Sequence, residues 1–100
     1  MNLQLVVRAE VEADIAAAAA WYQEQSPTTA DRFVGAVRKS LLLIAQNPFQ
    51  YQLAFGRYRR AVARPFPYVL VFGITETEIV VVACTHGRRH PRRWQERIPE

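Results

Sequence analysis

The chain has 100 residues, half of them hydrophobic, and a formal net charge of +4, which suits one globular domain and excludes a disordered tail. A single cysteine, Cys84, excludes an internal disulfide framework, and no apolar run approaches the roughly 18 to 20 residues that cross a bilayer. The first residues carry neither a basic flank ahead of a long apolar run nor a cleavage site, so the expectation is one cytoplasmic domain over residues 1–100 with no membrane partner.

Residues 2–7, "NLQLVV", have the length and branched content of a first strand. Val11, Ile15, Ala18 or Ala19, and Tyr22 then recur at helical spacing, with Glu10, Asp14 and Gln25 off that face. Trp21, one residue from Tyr22, is expected in the core. Ser26-Pro27 breaks the helix and supplies an N-cap and a proline at the first position of the next. Phe33, Val37, Leu41 and Ile44 mark the second apolar stripe, which Asn47-Pro48 ends because proline disfavours helix in the residue before it. Two helices joined by a short connection make a hairpin.

From Gly56 onward the period becomes alternating. "RYRRAVAR" (57–64), "YVLVFGI" (68–74) and "EIVVVACTH" (78–86) read as three strands of an antiparallel meander, with "TET" as the polar turn between the last two. Arg57, Arg59, Ala61 and Ala63 share one face of the first of these, and Tyr58, Arg60, Val62 and Arg64 the other. Pro65 and Pro67 lack backbone donors and force a bend. The predicted architecture is α+β: an N-terminal strand, a helical hairpin, then a three-stranded antiparallel meander with the helices on one face, and a short C-terminal segment.

Charge is unevenly placed. Residues 1–56 carry four cations against five acids, whereas residues 57–100 carry nine arginines against four acids. The planar guanidinium suits bidentate pairing with carboxylates and phosphates, so an anionic partner is implied.

The stretches "AAAAAWYQEQSP", "RFVGAVRKSLLLIAQNPFQY", the arginine strand with Arg59, "FPYVLVF" and "HGRRHPRRW", in that order and spacing, resemble the RelE/ParE superfamily of type II toxins on its ParE-like side. The resemblance covers nearly the whole chain and implies a cytoplasmic toxin, of the plasmid-stabilisation type, held inactive by a cognate antitoxin. RelE-like members are implied to cleave messenger RNA on the ribosome, and ParE-like members to inhibit DNA gyrase by binding it. A degenerate, non-toxic member is the third reading.

The candidate residues divide between these. A ribonuclease needs a base, an acid and cations for the phosphorane, which His86, Arg59 and Arg88 would supply, with Arg64 in reserve. The residues expected beside them are thin, since the only lysine is Lys39 and the last tyrosine is Tyr68. A binding toxin needs only a recognition surface. Arg59, Arg60, Arg64, Arg88, Arg89, Arg92, Arg93 and Trp94 are the candidate contacts for an acidic antitoxin or for the target, gyrase in the preferred reading. Residues 91–100 are expected to form a target-facing arm, with a latch pinned by Trp94 as the alternative. Cys84, His86 and His90 make a conceivable zinc set, but a lone thiol in an apolar strand reads better as a small buried hydrophobe. No metal or cofactor is expected, and self-association is expected only through the antitoxin complex.

Overall fold

A computed structural model describes residues 3–98. Strand β1 (Gln4–Val7) leads into α1 (Ala9–Gln25) and α2 (Pro27–Gln46); Asn2, the first residue of the expected strand, lies outside the described residues. Ser26 closes one helix and opens the next: its N–H donates to the Tyr22 carbonyl at 2.9 Å, and its carbonyl accepts from Ala30 N–H at 3.1 Å. Its hydroxyl makes no capping bond, so Ser26 caps by backbone position. Pro27 sits where an N–H would be unpaired in any case.

A single 3-10 turn (Pro48–Gln50) leads to β2 (Leu53–Phe55), β3 (Tyr58–Val62), β4 (Tyr68–Ile74), β5 (Glu78–His86) and a short α3 (Arg92–Gln95). The sheet order is β1-β5-β4-β3-β2. The expected meander is present as β3, β4 and β5, but the sheet has five strands rather than three. β1 lies parallel to β5, from Gln4 opposite Glu78 to Val7 opposite Val81. β2 pairs antiparallel with β3 across a tight turn in which Gly56 takes φ +54°, a conformation open to glycine at little cost.

The helices cover one face of the sheet. Val11, Ala18, Phe33, Val37 and Ile44 pack on Ala61, Leu70, Phe72, Ile79, Val81 and Cys84. Trp21 does not join them. It is 55% exposed, contrary to expectation, because successive helical residues are about 100° apart and Tyr22 holds the inward position.

The opposite face carries a second cluster, in which Tyr58, Val69, Val71, Val82 and Ala83 pack with Trp94. Burial on both faces explains why β4 and β5 read as near-continuous apolar runs. Gly73 lies under this layer: a Cβ there would stand 2.8 Å from Tyr58 Cε1, so its absence lets the Tyr58 ring rest on β4. Val71 pairs with Ala83 and Phe72 with Val81, which leaves Val82 without an opposite number. That bulge turns Val82 and Ala83 to the same face and frees backbone groups at the β5 edge.

Candidate functional site

β1 ends at Val7, opposite Val81, so β5 beyond that point presents an unpaired edge. Side chains complete it. Cys84 N–H donates to Asp14 Oδ2 at 3.1 Å, and Arg97 Nη1 donates to the Val82 carbonyl at 3.1 Å. Arg97 also forms a two-pronged pair with Asp14, at 2.8 and 2.9 Å. The hydrogen bond to Asp14 raises the Arg97 pKa, and burial, reinforced by the Asp14 charge, pushes the Cys84 thiol up to about 12. Asp14 on α1, the bulged strand and the C-terminal segment are thus tied at one point.

The same segment delivers Trp94 to the second face, where it is 7% exposed and meets Phe55 edge-on at 5.8 Å. The described part of residues 91–100 is therefore packed through Trp94, the arrangement expected of the latch, while Arg92 and Arg93 stay exposed. An apolar anchor and a paired arginine outweigh the polar character of the residues between them.

The arginines of β3 divide as alternation predicts. On the helix-covered side, Arg59 Nη1 donates to the Tyr51 carbonyl at 2.6 Å and its guanidinium lies 5.5 Å over the Phe49 ring. Arg60 faces the opposite side. There it lines a cleft of about 130 Å3 with Val69, Val71, Thr85, His86, Arg89 and Trp94. Thr85 and the neighbouring Gln95 were not singled out from sequence; nothing in their local pattern distinguishes them. Arg64 is exposed in the bend after β3, and Arg88, Arg92 and Arg93 are exposed around α3.

Among the described residues, Arg97–Asp14 is the only ion pair. The other eight arginines after residue 56 have no carboxylate at salt-bridge distance among the described residues; Arg88, Arg89, Arg92 and Arg93 lie around α3, whereas Arg57 and Arg59 lie with Glu76 at the other end of β3.

His86 accepts Arg88 N–H on Nδ1 at 3.1 Å, and His90 accepts Arg92 N–H in the same way at 3.1 Å. The His86 ring stands edge-on to Tyr68 at 5.4 Å. Of the three residues of the nuclease reading, His86 and Arg88 are neighbours and Arg59 stands apart. Arg59 pairs with Phe72, whereas His86 pairs with Tyr68, four residues apart along β4 or about 13 Å at strand rise; Arg88 does not line the cleft. The cleft, at about 130 Å3, has room for a carboxylate side chain or one phosphate group, and His86 also lines a groove of about 660 Å3 on the α1 side. Among the described residues no three His, Cys, Asp or Glu side chains gather as metal ligands, and no helix is long and apolar enough to cross a membrane.

Residues 5–91 match the family described as the ParE toxin of the type II toxin-antitoxin system, parDE. Toxin ParE2 of Mycobacterium tuberculosis, in strains CDC 1551 / Oshkosh and H37Rv, is 32% identical over 102 aligned positions, covering 98% of this chain and 94% of the relative. A chain of the chromosomal ParDE TA system from P. aeruginosa shares the fold with a TM-score of 0.76 at 17% identity, over 84% of this chain and 95% of that one. The chain belongs to the ParE toxin family of type II toxin-antitoxin systems.

Proposed function

We propose that this toxin arrests growth by binding DNA gyrase in the cytoplasm, and that a cognate acidic antitoxin neutralises it by occupying the same arginine-rich end. The observation that carries the reading is the gathering of Arg60, Arg88, Arg89, Arg92 and Arg93 around the cleft and α3, none with a carboxylate partner among the described residues. Such a surface recognises anionic groups without needing to transform them. Arg60 and Arg89 in the cleft are the central contacts, with Arg64, Arg88, Arg92 and Arg93 at the rim. Arg59 serves the fold through Tyr51 and Phe49, and Trp94 holds the cleft wall. Any self-association arises through the antitoxin complex.

Induced expression with parallel readouts of messenger RNA cleavage and DNA damage response tests the target. Gyrase poisoning raises the damage response and leaves transcripts intact; the opposite pattern would select the ribonuclease. His86→Gln sharpens the test, because glutamine keeps a donor but cannot shuttle protons near neutral pH. It is expected to retain most of the growth inhibition, whereas loss of a catalytic histidine costs on the order of 100-fold to 10,000-fold in rate. Arg60→Glu with Arg89→Glu is expected to abolish inhibition in a chain that stays folded.

A further inference from the structure

Phe55 is an aromatic side chain left 45% exposed at the edge of the sheet. Its ring stands edge-on to Trp94, with centroids 5.8 Å apart, and Trp94 is buried and lines the small cleft of the second face. Ala54, the residue before Phe55, lines the same cleft. An exposed ring is therefore fixed at the rim of a cationic recess.

The donors of that recess suit an oxyanion. Arg60 and Arg89 bring guanidinium groups, Thr85 a hydroxyl and Gln95 an amide, beside Val69 and Val71. Strand register places two of them on one face, since Arg60 stands opposite Val71 and Thr85 opposite Val69. Among the described residues, no Asp or Glu lines the cleft. Nor do the side chains of Arg60, Thr85, Arg89 and Gln95 form a hydrogen bond among those residues, so their donors stay open to an occupant.

A carboxylate and a phosphate would both answer these donors, and the ring decides between them. A nucleotide carries a flat base one sugar away from its phosphate, and Phe55 and the cleft share Trp94 as a common wall. Sites for single strands combine such a cationic groove with an aromatic face on which a base stacks. A duplex keeps its bases inside and offers the ring nothing. Beyond Pro91 the cationic surface continues through Arg92 and Arg93, with Glu96 beside them.

We propose that the second face holds one nucleotide of single-stranded DNA, its phosphate in the cleft on Arg60, Arg89 and Thr85 and its base against Phe55. The proposal rests on the gyrase reading above, because that target works on DNA and presents the strand. Toxin and target then meet partly across the DNA, and the strand is held without being cut.

The test uses the full chain and a labelled twelve-nucleotide DNA strand, with binding read by fluorescence anisotropy over a range of salt concentrations. The strand is expected to bind at micromolar concentration in low salt. Phe55→Ala is expected to weaken binding about fivefold or more at unchanged salt slope, and Phe55→Tyr to keep it, because the loss is that of a stacking face. Arg60→Gln is expected to weaken binding about tenfold or more and to flatten the salt slope by about 0.7, the share of one phosphate on a single strand. Arg38→Gln removes the same charge from the exposed side of α2 and is expected to stay within about threefold. Thermal melts check that each variant is folded.

Absence of binding, or equal losses for Arg60→Gln and Arg38→Gln, would overturn the site. An acidic peptide that binds through Arg60 where the strand does not would overturn it in favour of a protein carboxylate. Cleavage of an RNA strand of the same sequence, lost in His86→Gln, would overturn it in favour of the ribonuclease. A gyrase supercoiling assay separates the site from the target. Variants that lose the strand and still inhibit supercoiling would overturn the site and leave gyrase standing; a wild-type chain that binds the strand through Phe55 and leaves supercoiling untouched would support the site and defeat the target.

Discussion

Asp14→Ala and Arg97→Ala break the same ion pair but should not cost the same. Arg97→Ala removes two charge-assisted hydrogen bonds to Asp14, between side chains 29% and 20% exposed, and the one to the Val82 carbonyl, which truncation of the arginine opens to water; solvent screening places the loss at the low end of the range, about 1.5 kcal/mol. Asp14 then still accepts the Cys84 N–H and can turn to water. Asp14→Ala removes the same pair and also strands that N–H, in a residue only 4% exposed. A buried donor left without a partner costs about 1–3 kcal/mol more, so the total is about 3 kcal/mol. For a domain of this size each kcal/mol shifts Tm by roughly 4–8 °C. Asp14→Ala should therefore lower Tm by about 12 °C or more and Arg97→Ala by about 6 °C, measured by circular dichroism melts and checked against urea midpoints. Asp14→Asn keeps an acceptor for Cys84 and should fall between them. Equal shifts for the two alanine variants, or a larger one for Arg97, would refute the claim that Asp14 completes the β5 edge.

Trp94→Ala empties a buried site on the second face and should cost about 3–5 kcal/mol, a large share of the roughly 5–15 expected for a domain; truncation after His90 should be worse, because Arg97 leaves as well, and a cooperative, unshifted melt of the truncated chain would contradict the latch. Gly73→Ala places a methyl 2.8 Å from the Tyr58 ring and should cost about 1–3 kcal/mol by urea unfolding, with part of the loss recovered when Tyr58→Val is added. Cys84, buried and pushed from 9.0 to about 12, should resist alkylation at pH 8 in the folded chain and react once it is unfolded. Because the unfolded thiol releases its proton near 9 and the folded one near 12, the unfolded state binds fewer protons between those values. Stability should fall as pH rises through that window, and Cys84→Ala should flatten the fall.

Much of the fold is written in local patterns. The stripes Val11, Ile15, Ala18, Tyr22 and Phe33, Val37, Leu41, Ile44 carry the helix period; Ser26-Pro27 and Asn47-Pro48 carry the breaks, and the helices end where those signals place them. The alternation of Arg59 and Arg60 across the two faces of β3 was readable for the same reason. What escaped was long-range. β1 pairs with a strand more than seventy positions away, and a parallel ladder leaves no mark on the four residues that join it. β2 is three residues long and wholly exposed, so it shows neither alternation nor an apolar run.

The site was legible in chemistry and not in arrangement. Composition gathered the arginines into the second half of the chain, and that is where the uncompensated charge lies. It did not say which arginine is occupied. Arg97 looked like any other member of the group, yet Val82 is one residue too many for its strand; the bulge exposes a carbonyl, Arg97 answers it, and Asp14 holds Arg97. A pairing of residues 14, 82 and 97 depends on where a ladder slips by one position, which no helical or strand period encodes. The same slip turns Val82 and Ala83 toward Trp94, and so converts an arginine-rich tail into a wall of the cleft. Of the two tryptophans, Trp21 departs from the place expected of it, and Trp94 takes the buried one of its two readings. The first yields the core to Tyr22 by helical phase, and the second finds a buried seat on a sheet face that the bulge makes apolar.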